Sequence, residues 1–73
     1  MNDELYASGE IPLRGDVVVY NEVFHQPVPP SREERETWIV TSLCGELVRC
    51  KCQGAERWRQ AHYVKRLKLI RRK

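Results

Sequence analysis

Short apolar runs separated by polar punctuation set the pattern of this chain, and their period is mostly two. Asp16-Val17-Val18-Val19-Tyr20, entered through Gly15, is a β-branched run that predicts a strand. Residues 37–43 (Thr37-Trp38-Ile39-Val40-Thr41-Ser42-Leu43) and 47–52 (Leu47-Val48-Arg49-Cys50-Lys51-Cys52) predict two more, joined at Cys44-Gly45-Glu46 by a tight glycine turn. In the second of these, Val48, Cys50 and Cys52 fall on one face and Arg49 and Lys51 on the other, as in a half-buried strand. Gln53-Gly54-Ala55-Glu56 reads as the next turn, leading into Arg57-Trp58-Arg59-Gln60.

Beyond that point two readings compete. Ala55, Trp58, Ala61, Val64, Leu67 and Ile70 recur every third residue, which suggests an amphipathic helix over 55–72. A spacing of three, however, drifts by about 60° per step from a helical stripe. The preferred alternative is a strand, one 3₁₀ turn around Ala61-His62-Tyr63, and a last strand from Lys65 to Ile70, with Tyr63, Val64, Leu67 and one of Leu69 or Ile70 turned inward.

Between the first two strands, residues 21–30 carry Pro27, Pro29 and Pro30 and predict an exposed loop. Ser31 followed by Glu34 has capping-box spacing, so a single helical turn is expected over 31–36. The resulting division is an acidic, flexible leader at 1–12, one domain at 13–70 and a free basic tail at 71–73.

Composition narrows the class. The 73 residues, 41% apolar and 32% charged, suit one small globular domain, which buries only about 60% of its unfolded surface. No apolar run approaches the roughly 20 residues of a membrane span. The acidic start, MNDELYASGE, lacks the basic and apolar regions of a secretory signal, so a cytoplasmic location is expected. Three cysteines, an odd number, point to reduced thiols rather than a disulfide framework.

The net charge of +3 conceals a strong asymmetry. Residues 1–46 hold nine acidic side chains against three arginines, whereas residues 47–73 hold ten basic ones against Glu56 alone. Such a split points to a polyanion partner or to two faces with different partners.

Leu13-Arg14-Gly15-Asp16-Val17-Val18, Trp38-Ile39-Val40, Val48-Arg49-Cys50-Lys51-Cys52 and Ala61-His62-Tyr63-Val64-Lys65-Arg66-Leu67, separated by a long loop and two glycine turns, together resemble an SH3-like barrel. The resemblance covers residues 13–70 and implies a mostly β fold of about five short strands, with a short turn before the closing strand. It departs from the SH3 domains that bind PxxP peptides: Tyr6 precedes Gly15 too closely to leave room for their acidic loop, so a proline-peptide groove is not expected. A hairpin core with a C-terminal helix is the alternative fold. In length, charge asymmetry and arginine content the chain also resembles small phage-encoded transcription regulators, inhibitors or antiterminators, that bind host RNA polymerase; this implies a host cytoplasmic location.

Candidate chemistry is sparse. Cys44, Cys50, Cys52 and His62 are in principle four zinc ligands, but Cys50-Lys51-Cys52 on a straight strand separates its sulfurs by roughly 7 Å, too far for one tetrahedral ion. Cys50 and Cys52 are therefore read as small buried hydrophobes, with a zinc-binding adaptor as a lesser alternative and no cofactor expected. Neither histidine has the setting of a catalytic base, and no phosphate-binding glycine loop occurs, so no enzyme activity is expected.

The strongest candidate is a basic surface of Arg49, Lys51, Arg57 and Arg59 extended by Lys65, Arg66, Lys68, Arg71, Arg72 and Lys73, suited to nucleic acid or an acidic protein. A second candidate is the charged segment Arg32-Glu33-Glu34-Arg35-Glu36, placed after the prolines where a protein partner would dock. The expected function is thus a non-enzymatic, monomeric regulator that binds RNA polymerase or another transcription-complex protein, or else a stand-alone nucleic-acid-binding protein.

Overall fold

A computed structural model describes residues 4–21 and 32–72. The fold is mostly β, as the period-two runs predict. One antiparallel sheet holds β1 (Val17–Tyr20), β2 (Trp38–Cys44), β3 (Leu47–Cys52), β4 (Ala55–Tyr63) and β5 (Leu67–Arg71) in the order β4-β3-β2-β1-β5. A single helical turn, α1 (Arg32–Arg35), precedes β2. Ser31 and the prolines of the predicted loop lie outside the described residues.

Gly45 and Glu46 close the β2–β3 hairpin between the paired Cys44 and Leu47. Gly45 takes φ 66°, a value that the twist-matched two-residue turns demand and that glycine meets without steric cost. Within β2 the register shifts between Val40 and Ser42, and the Thr41 hydroxyl donates to the Arg49 carbonyl at 3.1 Å. Such a bulge increases strand twist.

The helical alternative for 55–72 is overturned, and the strand reading needs its boundaries moved. The turn after β3 is only Gln53 and Gly54, because Ala55 already pairs with Cys52. The strand then runs to Tyr63, since Val48 and Leu47 supply partners for His62 and Tyr63. The 3₁₀ turn therefore falls at Val64–Arg66, and β5 begins at Leu67. Val64 and Leu67 are fully buried as expected, but Tyr63 is 46% exposed; Leu69 packs on the core and Ile70 faces out.

The core gathers Val18, Trp38, Val40, Val48, Cys50, Cys52, Val64 and Leu67 from all strands but β4. Trp38 is its largest member: its indole N–H donates to the Glu33 carbonyl at 3.0 Å, and Trp58 of β4 meets it edge-on at 5.1 Å. Truncating Trp38 would remove the widest contact surface in so small a core, at a cost of about 3–5 kcal/mol.

Within the stretches read from sequence as leader and tail, the described residues make contacts with the sheet. Tyr6 belongs to the core. The Ala7 N–H donates to the Leu67 carbonyl at 2.7 Å, and the Leu69 N–H donates to the Ser8 hydroxyl at 3.0 Å, so residues 7–8 run beside β5. At the other terminus Arg71 pairs with Val17, inside β5. Arg72 donates from Nε and Nη2 to the two oxygens of Asp16 at 2.9 and 3.2 Å. Lys73 is outside the described residues.

Asp16 is the centre of this closure. It has no solvent exposure and also accepts from the Tyr6 hydroxyl at 2.6 Å and the Leu13 N–H at 2.9 Å. Burial alone would push its carboxyl up, but the bonds from Arg72, Tyr6 and Leu13 outweigh it and hold the group below the ordinary carboxylate value. Burial and the same carboxylate push the Tyr6 phenol well up, so it remains a proton donor.

Candidate nucleic-acid interface

The pairing of β3 with β4 decides where the basic side chains go. Lys51 lies directly opposite Arg59, and Arg49 opposite Ala61. Alternation turns Val48, Cys50 and Cys52 into the core, so Arg49 and Lys51 stand on the outer face with Arg59. Arg57 is exposed two residues before Arg59 on the same strand, where the register is irregular. Among the described residues, none of these four is in an ion pair; the pairs present are Arg32–Glu36 and Arg72–Asp16.

A depression of about 550 Å³ crosses this face, lined by Thr41, Ser42, Arg49, Cys50, Arg59, Gln60 and Ala61. The small side chain of Ala61 leaves it open between the two arginines. Like charges facing each other across a strand pair disfavour the fold by some tenths of a kcal/mol, so the Lys51–Arg59 pairing adds nothing to stability. It does provide the field that attracts a phosphate backbone.

The other predicted basic residues do not join this group as one surface. Lys68 and Arg71 are exposed on β5, at the opposite end of the sheet order from β4. Lys65 and Arg66 sit on the 3₁₀ turn, and the Arg66 guanidinium lies over the Tyr20 ring at 5.4 Å. Arg72 is bonded to Asp16, so its charge is neutralised within the fold.

The charged segment read as a protein-docking loop is packed against the sheet. The Arg32 guanidinium stacks over Trp58 at 4.7 Å and pairs with Glu36 at 3.2 Å. Glu33 offers its carbonyl to Trp38, and the Cys52 thiol reaches Glu36 at 3.4 Å. Arg35 is exposed, whereas Glu33, Glu34 and Glu36 are half-buried. The segment thus roofs the two tryptophans.

Among the described residues the candidate zinc ligands do not come together as a metal-binding group. Cys44 is exposed at the end of β2, Cys50 and Cys52 are buried, and no group of three metal-binding side chains occurs among the described residues. Burial alone pushes the Cys50 thiol up to about 12, as expected of a small hydrophobe in a core.

One polar pair was invisible in the sequence. His62 is buried, sits 4.4 Å from the Trp38 ring and meets Tyr20 edge-on, with the Tyr20 hydroxyl 2.5 Å from Nδ1. Burial raises the Tyr20 phenol, so it keeps its proton beside Nδ1. Nε2 has no partner among the described residues. Burial also lowers His62 below its ordinary value, so the imidazole is neutral. No sequence spacing links residues 42 positions apart, and only the strand pairings bring them together.

A second depression of about 330 Å³ opens beside this pair, lined by Tyr20, Glu33, Glu34, Gln60, Ala61, His62, Tyr63 and Arg66. It adjoins the first at Gln60 and Ala61. No helix among the described residues is long and apolar enough to cross a membrane. Comparison with protein-family models, curated proteins and solved structures gave no significant match.

Proposed function

We propose that this protein is a non-enzymatic nucleic-acid-binding module that holds a phosphate backbone on the outer face of β3 and β4. The observation that carries this reading is the four basic side chains Arg49, Lys51, Arg57 and Arg59, concentrated on two neighbouring strands, unpaired with carboxylates among the described residues, and including a lysine placed opposite an arginine. Charges arranged for stability alone would alternate in sign across the pair. The architecture we propose is SH3-like; the 3₁₀ turn before the last strand, where the resemblance implies a short turn, supports it.

A regulator acting on RNA polymerase is a narrower form of the same proposal, in which the basic face meets nucleic acid within a transcription complex. The packing of Arg32–Glu36 over Trp38 and Trp58 leaves fewer groups there for a protein partner than a free loop would offer.

Fluorescence anisotropy with labelled oligonucleotides tests the proposal. Wild-type protein is expected to bind at low salt, and Arg49→Ala/Lys51→Ala/Arg59→Ala is expected to lose more than about tenfold in affinity while staying folded by circular dichroism. Affinity unchanged in that folded variant would refute the assignment of the face.

A further inference from the structure

The two adjoining depressions differ in chemistry, and the difference selects among nucleic acids. The first is bounded by Arg49 and Arg59 and offers the Thr41 and Ser42 hydroxyls, a setting for a phosphate. The second is lined by Tyr20, His62 and Tyr63, with Glu33, Glu34 and Arg66 around them. With the rings of Tyr20, His62 and Tyr63 along it, this lining suits a planar group. Tyr63 is nearly half exposed, so its ring offers a face to solvent beside the second depression.

From these observations, and resting on the nucleic-acid reading above, we infer that the ligand is single-stranded: its backbone crosses the Arg49–Arg59 depression while an unpaired base leaves the strand at Gln60 and Ala61 to stack on Tyr63. Only an unpaired base has a free face to offer the ring. In a duplex each base is stacked and paired within the helix, so a duplex engages the arginines and leaves Tyr63 without a partner. Stacking of this kind is tolerant of sequence, because every base has a π-face. The Arg66 guanidinium, which already lies over Tyr20, adds a cation at the rim of the second depression.

Affinities of the full chain for a labelled oligothymidylate of about twelve residues and for a duplex of the same length, at one salt concentration, test this inference. Wild-type protein is expected to prefer the single strand by about tenfold or more. Tyr63→Ala should lower single-strand affinity by about tenfold and leave duplex affinity within about twofold, and Tyr63→Phe should restore the single-strand value. Arg49→Ala/Arg59→Ala should weaken both ligands together. Equal wild-type affinity for the two ligands, or a Tyr63→Ala variant with undiminished single-strand affinity, overturns the single-strand inference while leaving the basic face as a duplex-binding surface. Failure of wild-type protein to bind either ligand overturns the nucleic-acid reading itself, and this inference with it.

Discussion

Arg72 and Arg59 both come from the basic second half of the chain, yet their surroundings are opposite. Arg72 donates to Asp16, a carboxylate without solvent exposure that is also held by Tyr6 and Leu13. Arg59 faces solvent across from Lys51 and has no carboxylate partner among the described residues. The contrast teaches that a run of positive charge is not one feature: where a buried acid waits, the charge closes the fold, and where none does, it remains available to a ligand. Stability should therefore depend on the first site and be indifferent or even averse to the second.

Asp16→Ala is the most severe way to break the buried site. It leaves the Tyr6 hydroxyl and the Leu13 N–H without their acceptor, and a loss of roughly 3 kcal/mol is expected in urea unfolding. Deleting residues 71–73 should act in the same direction but less strongly, since Asp16 then keeps two of its donors. The deletion also removes the Arg71 end of β5. Oligonucleotide affinity of the still-folded fraction should fall by less than about tenfold, because the β3–β4 face is intact.

Acid should separate the two buried titrating groups. His62 is kept neutral in the fold, below its ordinary value of about 6.5, so the unfolded chain takes up its proton first. Stability is complete above that pH and declines as pH falls below it. Asp16 is depressed in the fold, so its contribution is complete above the unfolded carboxylate value of about 3.9 and is lost as pH falls further. Unfolding free energy measured against pH should show both limbs, and Asp16→Asn should flatten only the lower one.

The smallest expected stability effect is the most discriminating. Lys51→Glu places an acid opposite Arg59, and the cross-strand pair should raise stability by about 0.5 kcal/mol. The same change should weaken oligonucleotide binding. A variant that gains stability and loses binding separates the two roles of charge, whereas one that loses stability would show that Lys51 has a structural role.

How much of this was legible beforehand depended on the range of the interactions. Val48, Arg49, Cys50, Lys51 and Cys52 declare their faces by strict alternation, so the outward arginine and lysine of β3 could be read directly. The end of β4 could not, because its length depends on Leu47 and Val48 as partners for Tyr63 and His62, and nothing local to His62 announces them. Tyr6, Asp16 and Arg72 were out of reach for the same reason: Arg72 is 56 positions from the acid it meets. A local signal did exist at Asp16, a charged residue at the head of an apolar run, but only the fold supplies its partner.

The most direct test of the central claim is the salt dependence of oligonucleotide binding, compared between wild type and Arg49→Ala/Lys51→Ala/Arg57→Ala/Arg59→Ala. If the β3–β4 face holds the backbone, the slope of log affinity against log salt should become shallower by about 3 for a single strand, at roughly 0.7 for each lost phosphate contact. An unchanged slope in the folded variant would contradict the account and move the binding charge to another part of the molecule.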